Sequence, residues 1–321
     1  MIWSNVIGTG GYLPATVRSN DDLSRMVDTS DSWIYERTGI KTRRIAAPEE
    51  TASSMAEIAS REAIARAGID PQSIDMIIVA TGTPDRVYPS TACLLQQRLG
   101  IRNGVGFDVQ AACSGAIFAV SIADQYIKTG FCKTVLVVGS EICSRIVDWN
   151  DRATCILFGD GAGAVLLTAS DQPGILSTHI HSDGSYEDLL YCPNPQVAID
   201  AQKDEPGVIN MRGNEVFKVA VNTLGRIVDE TLAANGLQQN AIDWLVPHQA
   251  NTRIIAATAK KLGMTMDQVI LTLETQGNTS SASLLLAFHE GVRDGRIQPG
   301  QTILMEAFGA GFTWGSALIK Y

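Results

Sequence analysis

Two distant stretches of this chain repeat one another. Arg61-Glu62-Ala63-Ile64-Ala65-Arg66-Ala67-Gly68 followed by Ile74-Asp75-Met76-Ile77-Ile78-Val79 aligns without gaps on residues 229–236 followed by Ile242-Asp243-Trp244-Leu245-Val246. Each copy reads as a helix, a glycine stop, a short loop and a buried strand. A second echo closes each half: Phe158-Gly159-Asp160-Gly161-Ala162-Gly163-Ala164-Val165-Leu166 resembles the run from Phe308-Gly309-Ala310-Gly311-Phe312 to Leu318. A repeat that keeps its order along the chain implies one βα unit set used twice. The turn Asp171-Gln172-Pro173-Gly174 divides the halves, giving 1–172 and 173–321.

Apolar runs such as Thr134-Val135-Leu136-Val137-Val138 and Thr302-Ile303-Leu304-Met305 are too short for helices and too uniformly apolar for exposed strands. They read as central strands covered on both faces. Alternating with helical stretches such as 116–128, they predict an α/β protein with two related sheets in layers. The composition, 45% hydrophobic and 18% charged over 321 residues, suits a large core with no linker or low-complexity tract. Six cysteines without C-x-x-C spacing suggest neither a zinc knuckle nor a disulfide framework, and a reducing cytoplasm fits them best. The first residues lack a signal-peptide pattern, and no window approaches the ~20 apolar residues of a membrane span. A formal net charge of −9 argues against nucleic acid or an anionic membrane as the main partner.

In an open α/β sheet, reactive groups sit in loops beyond the carboxyl ends of strands, and three such loops stand out. Val105-Gly106-Phe107-Asp108-Val109 runs through Gln110-Ala111-Ala112-Cys113-Ser114-Gly115 into an apolar helix. Cys113 thus begins a helix, whose dipole and free N–H groups are expected to lower a thiol pKa. Trp244-Leu245-Val246 leads to Pro247-His248-Gln249-Ala250-Asn251, where Asn251 can cap the next helix. Val269-Ile270-Leu271-Thr272-Leu273, read as a strand, leads to Gly277-Asn278-Thr279-Ser280, and in the repeat alignment Asn278 falls opposite Cys113. The remaining cysteines and His179, His181 and His289 read as packing or solvated residues. Gly8-Thr9-Gly10-Gly11 and the glycines at 159–163 match no phosphate-binding fingerprint.

Together with Thr29-Ser30-Asp31-Ser32-Trp33-Ile34 and Arg37-Thr38-Gly39-Ile40, these motifs resemble the β-ketoacyl-[acyl-carrier-protein] synthase III family, which initiates bacterial fatty-acid synthesis, over essentially the whole chain. The resemblance implies a thiolase-like fold, two duplicated βα halves in a layered α-β-α-β-α sandwich. It implies an acyltransferase in which Cys113 takes an acyl group from acyl-CoA, most simply acetyl-CoA. Malonyl-acyl-carrier protein then loses carbon dioxide, and its enolate attacks the thioester. His248 and Asn278 would stabilise that enolate, and the backbone N–H groups of Cys113 and Ala310 would form an oxyanion hole. Trp33 and Arg152 would sandwich the adenine of coenzyme A, and Arg37 would meet its phosphates. Thr29, Leu157, Gly213, Phe217, Ala250, Asn251 and Phe308 would line the pantetheine tunnel. Gln249, Arg253, Lys218, Lys260 and Lys261 would dock the acidic carrier protein. Coenzyme A is here a substrate thioester, with no cofactor or metal implied, and the family is homodimeric.

Two positions depart from the family pattern. Ala310 replaces a common glycine and would be strained if the site demanded a positive φ. Tyr88 stands where phenylalanine often forms the floor of the partner subunit's acyl pocket, which leaves the primer open. A sibling synthase priming a secondary metabolite shares all these features. A Cys-His-Asn thiol hydrolase, from another class, shares the residue order but not the duplication.

Overall fold

The computed structural model describes residues 2–194 and 207–321. One sheet contains, in spatial order, the strands Trp3–Tyr12, Asp160–Ser170, Thr134–Ile142, Met76–Ala80 and Val105–Val109. A second contains Trp244–Pro247, Thr302–Gly309, Thr313–Lys320 and Ile175–Ser182, and two small two-stranded sheets, Thr16–Ser19 with Thr42–Ile45 and Leu190–Tyr191 with Asn210–Met211, lie beside them. Read from the opposite edge, the second repeats the first: antiparallel edge strand, antiparallel neighbour, central strand, then a parallel strand. The turn at 171–174 separates the last strand of one from the first of the other.

The duplication extends to single hydrogen bonds. Asp75 Oδ2 accepts the Thr134 N–H at 2.9 Å, and Asp243 Oδ2 accepts the Thr302 N–H at 2.7 Å, at equal spacings along the chain. The helix Ala52–Ala67 starts on a Thr51–Ser54 capping box and stops at Gly68, whose φ of 65° suits a left-handed cap. It covers the outer face of the first sheet, and Gly213–Ala234 covers the second.

Gly115–Lys128 and Ala282–Arg293 lie between the sheets, where both faces of a helix are buried; this is why they are strongly apolar. All residues of Met76–Ala80 and Thr134–Ile142 are buried, as expected of strands covered on both faces. The central helix packs so closely that a Cβ on Gly139 would lie 2.4 Å from the Ser281 carbonyl oxygen. The layers are therefore α-β-α-β-α.

One expected strand is missing. Residues 269–273 make a single bridge, Val269 to Leu245, before the short helix Leu273–Gln276 begins. The reason is a side chain: Gln249 Oε1 accepts the N–H groups of Thr272 and Leu273 at 2.9 and 3.1 Å, and its Nε2 donates to Ile270 O at 3.1 Å. Backbone groups that would extend a ladder are already satisfied, and the chain turns away.

Candidate active site

Cys113 occupies a one-turn 3-10 segment, Ala112–Ser114, between Val105–Val109 and the central helix. Ala112 takes a φ of 45°, a costly conformation for a residue with a Cβ, and so turns the next side chain inward. Cys113 is 8% exposed, and its thiol donates to Ser280 Oγ at 3.6 Å. Burial pushes that thiol up to about 12. The lowered pKa expected from the helix N-terminus is thus not what the resting site shows. Desolvation of the buried sulfur is the largest cause, and the neighbouring Glu141 charge adds to it, while the Ser280 hydrogen bond opposes it.

His248 follows directly on Trp244–Pro247, with its N–H on Glu306 O at 2.8 Å and its Nδ1 2.5 Å from Ser283 Oγ. Burial pushes the imidazole down to about 3, so it is neutral at physiological pH. Asn278 is held by its backbone, with its N–H on Leu157 O at 2.9 Å and its carbonyl accepting the Gly159 N–H at 3.0 Å. Its Oδ1 accepts the Ser280 N–H at 2.8 Å, which leaves the NH2 group as what this side chain can offer a ligand.

The repeat alignment placed Asn278 opposite Cys113, and the structure corrects this. The turn bonds Ser114 N to Ala111 O and Ala282 N to Thr279 O are equivalent, and the positive-φ residues Ala112 and Ser280 coincide. Ser281 is therefore the counterpart of the cysteine. Asn278 precedes it by a turn and reaches the site through its bridge to Phe158.

Cys113, His248 and Asn278 line one cavity of about 410 Å³ together with Trp33, Arg37, Leu157, Gly213, Phe217, Ala250, Asn251 and Phe308. Two residues expected along the same path lie outside its lining. Among the described residues Thr29 has a buried Oγ1 with no hydrogen-bond partner. Arg152 lies against Trp33 itself, 4.8 Å from the ring centroid, and donates to Asp28 O at 2.7 Å; Arg37 also lies over that ring, at 4.2 Å. No gap for a third ring separates Trp33 from Arg152 here, so an adenine would have to part them.

Behind Cys113 lies a smaller space of about 140 Å³, lined by Ala112, Cys113, Glu141, Cys143, Cys192, Ser280 and Ala310 among others. Ala310 is not one of the positive-φ residues, so alanine sits there without the strain considered above. Glu141 and Ser280 escaped sequence reasoning. Glu141 Oε1 accepts from Ser280 and Ser281 at 3.1 and 2.9 Å, and Oε2 accepts from Thr83 Oγ1 and Gly82 N at 2.8 and 3.0 Å. The available signal was the single charged residue in the strand-like run 134–142.

Tyr88 is 83% exposed and does not line its own chain's acyl space. Gln249, expected to dock a carrier protein, is fully buried, and its amide is spent inside the chain on Pro247, Ile270, Thr272 and Leu273. It shapes the loop and cannot touch a partner. Lys218, Lys260 and Arg253 are exposed, with Arg253 stacked 4.8 Å above Phe217 at the cavity. Lys261 pairs with Asp229 at 2.7 Å. Among the described residues no cluster of His, Cys, Asp and Glu is arranged to hold a metal, and no helix is long and apolar enough to cross a membrane.

Comparison with known proteins agrees with this geometry. Residues 107–184 match the family described as 3-Oxoacyl-[acyl-carrier-protein (ACP)] synthase III, and residues 232–321 match its C-terminal counterpart. A beta-ketoacyl-[acyl-carrier-protein] synthase III of Methylococcus capsulatus is 68% identical over 319 residues, covering 99% of each chain. The crystal structure of 3-oxoacyl-[acyl-carrier-protein] synthase III from Aquifex aeolicus superposes with a TM-score of 0.94 at 47% identity, covering 99% of this chain and 100% of that one. The priming β-ketosynthase of the R1128 polyketide biosynthetic pathway also reaches 0.94, at 38% identity over 99% of this chain and 96% of that one. The chain therefore belongs to the 3-oxoacyl-[acyl-carrier-protein] synthase III family of the thiolase fold, and is a condensing acyltransferase that joins an acyl-CoA to malonyl-acyl-carrier protein at the start of fatty-acid synthesis.

Proposed function

We propose that this condensation runs through Cys113, His248 and Asn278, contributed by the halves 1–172 and 173–321. Cys113 attacks the acyl-CoA carbonyl, the oxyanion is met by the N–H groups of Cys113 and Ala310, and coenzyme A leaves as the thiol. Malonyl-acyl-carrier protein then enters the same cavity. As its carboxylate departs as carbon dioxide, the electron pair moves onto the thioester oxygen, where a neutral His248 and the Asn278 NH2 group donate hydrogen bonds. The enolate carbon attacks the Cys113 thioester and expels the thiolate, which takes up a proton. Both donors act on charge that exists only once the C–C bond breaks, so they serve the transition state rather than binding.

One observation carries this reading: all three side chains line a single cavity that extends to Trp33 and Arg37. It also weighs against a thiol hydrolase. Such an enzyme needs a thiolate–imidazolium pair, whereas here burial pushes Cys113 up to about 12 and His248 down to about 3.

The small acyl space favours a short primer, with acetyl-CoA first. The exposed Tyr88 would close the partner's acyl space in a homodimer. Trp33, Arg37 and Arg152 would hold the nucleotide of coenzyme A, and Lys218, Lys260 and Arg253 would meet the carrier protein. The enzyme would work in the cytoplasm without a cofactor. Intact-protein mass spectrometry with acetyl-CoA and longer or branched donors tests the reading. A two-carbon adduct, absent in Cys113→Ala and discharged by malonyl-acyl-carrier protein, supports it; loading only by other donors would move the chain to a sibling pathway.

A further inference from the structure

We infer that Ser283 fixes His248 as its Nε2–H tautomer, so that the ring presents a donor and not a lone pair to the thioester oxygen. The inference rests on the role of His248 just proposed. A neutral imidazole can carry its proton on either nitrogen, and only one choice helps an enolate.

Ser283 lies in the first turn of the helix Ala282–Arg293 and is 1% exposed. Its Oγ accepts the Gln249 N–H at 3.2 Å and lies 2.5 Å from His248 Nδ1. A hydroxyl has a single hydrogen, and among the described residues His248 Nδ1 is the acceptor it reaches. If Nδ1 carried the proton, Ser283 would accept twice and its own hydrogen would be buried without a partner. That penalty favours Nε2–H by roughly 10-fold or more. Burial also disfavours the doubly protonated ring, which would make both nitrogens donors.

The loop cannot rotate to escape this arrangement. His248 N–H is tied to Glu306 O at 2.8 Å, and the Gln249 amide is locked onto Pro247 O at 2.8 Å and Thr272 N at 2.9 Å. Ser283 is thus a positioning residue: it touches no substrate and acts through the ring.

Nitrogen-15 NMR of histidine-labelled enzyme at neutral pH reads the tautomer without any variant. The four histidines make assignment by comparison with His248→Ala practical. A protonated Nε2 and bare Nδ1 are expected, and a protonated Nδ1 overturns the inference. In Ser283→Ala the ring should become a tautomer mixture, with carbon dioxide release from malonyl-acyl-carrier protein falling on the order of 10-fold. Acyl loading of Cys113 should stay near wild type, and Ser283→Thr, which keeps the hydroxyl, should recover the release rate. Full release with an unchanged tautomer in Ser283→Ala also overturns it. Full release in His248→Ala would instead remove the proposed role of His248 and leave the tautomer measurement to stand by itself.

Discussion

The two halves of this enzyme share a backbone device and use it for opposite ends. Each has a tight turn with a non-glycine residue at positive φ leading into a buried helix: Ala112 at 45° before Gly115–Lys128, Ser280 at 51° before Ala282–Arg293. In the first turn the residue that follows is Cys113, which faces the cavity. In the second it is Ser281, fully buried, with its hydroxyl shared between Ala80 O at 2.8 Å and Glu141 at 2.9 Å. Duplication supplied one rigid platform twice. One copy kept a reactive atom on it and the other became the wall behind that atom.

The central strands differ in the same way. Both carry a glutamate at 1% exposure, but Glu141 is surrounded by donors, whereas among the described residues Glu306 has only the Thr258 hydroxyl near its carboxylate and no well-formed hydrogen bond to either oxygen. Burial pushes Glu306 up to about 8. A buried carboxyl can therefore be a clamp or a cost depending on what its neighbours donate.

The sharpest way to break the comparison between the turns is to move the nucleophile. In Cys113→Ser combined with Ser281→Cys, no acyl adduct should form on the new thiol, because the second turn points into packed protein. An adduct there would show the two turns to be functionally equivalent. The reactivity of Cys113 is the next largest effect. With its thiol pushed up to about 12 by burial, alkylation by iodoacetamide in the absence of substrate should keep rising about tenfold per pH unit beyond pH 9. A plateau near pH 7 would mean that the helix dipole wins after all.

The glutamates can be separated by one conservative change. For Glu306 the folded pKa lies above the unfolded value, so its contribution is fully present below about pH 4.5 and lost as pH rises through about 8. Urea unfolding should show wild type losing roughly 4 kcal/mol over that window and Glu306→Gln losing much less. At Glu141 the same substitution should destabilise by about 2–3 kcal/mol, because an amide NH2 would face Gly82 N–H or the serine hydroxyls. If both variants behaved alike, the contrast would fall. The smallest effect is at the surface: Lys261→Ala should change stability by less than about 1 kcal/mol, since its pair with Asp229 is largely solvated.

Much of this could be read from sequence because periodicity and turn residues report local structure. The repeated helix, glycine stop and strand located both sheets, and the three loops containing Cys113, His248 and Asn278 do meet at one cavity. What was hidden depended on side chains satisfying distant backbone. The Gln249 amide ends the expected strand at 269–273, and no local pattern announces that a glutamine is buried. The alignment of Asn278 with Cys113 failed because the second half lacks a full strand before its turn, so counting from the strand shifts the register. The raised Cys113 pKa was hidden for a related reason: helix position is local, but desolvation is set by residues far along the chain.

The most direct test of the division of labour is to measure the two half-reactions in His248→Ala and Asn278→Ala. Adduct formation from acetyl-CoA and carbon dioxide release from malonyl-acyl-carrier protein are followed separately. Both variants should load Cys113 at near wild-type rates and lose carbon dioxide release by about 10²–10³. Loss of loading with decarboxylation retained would contradict the account.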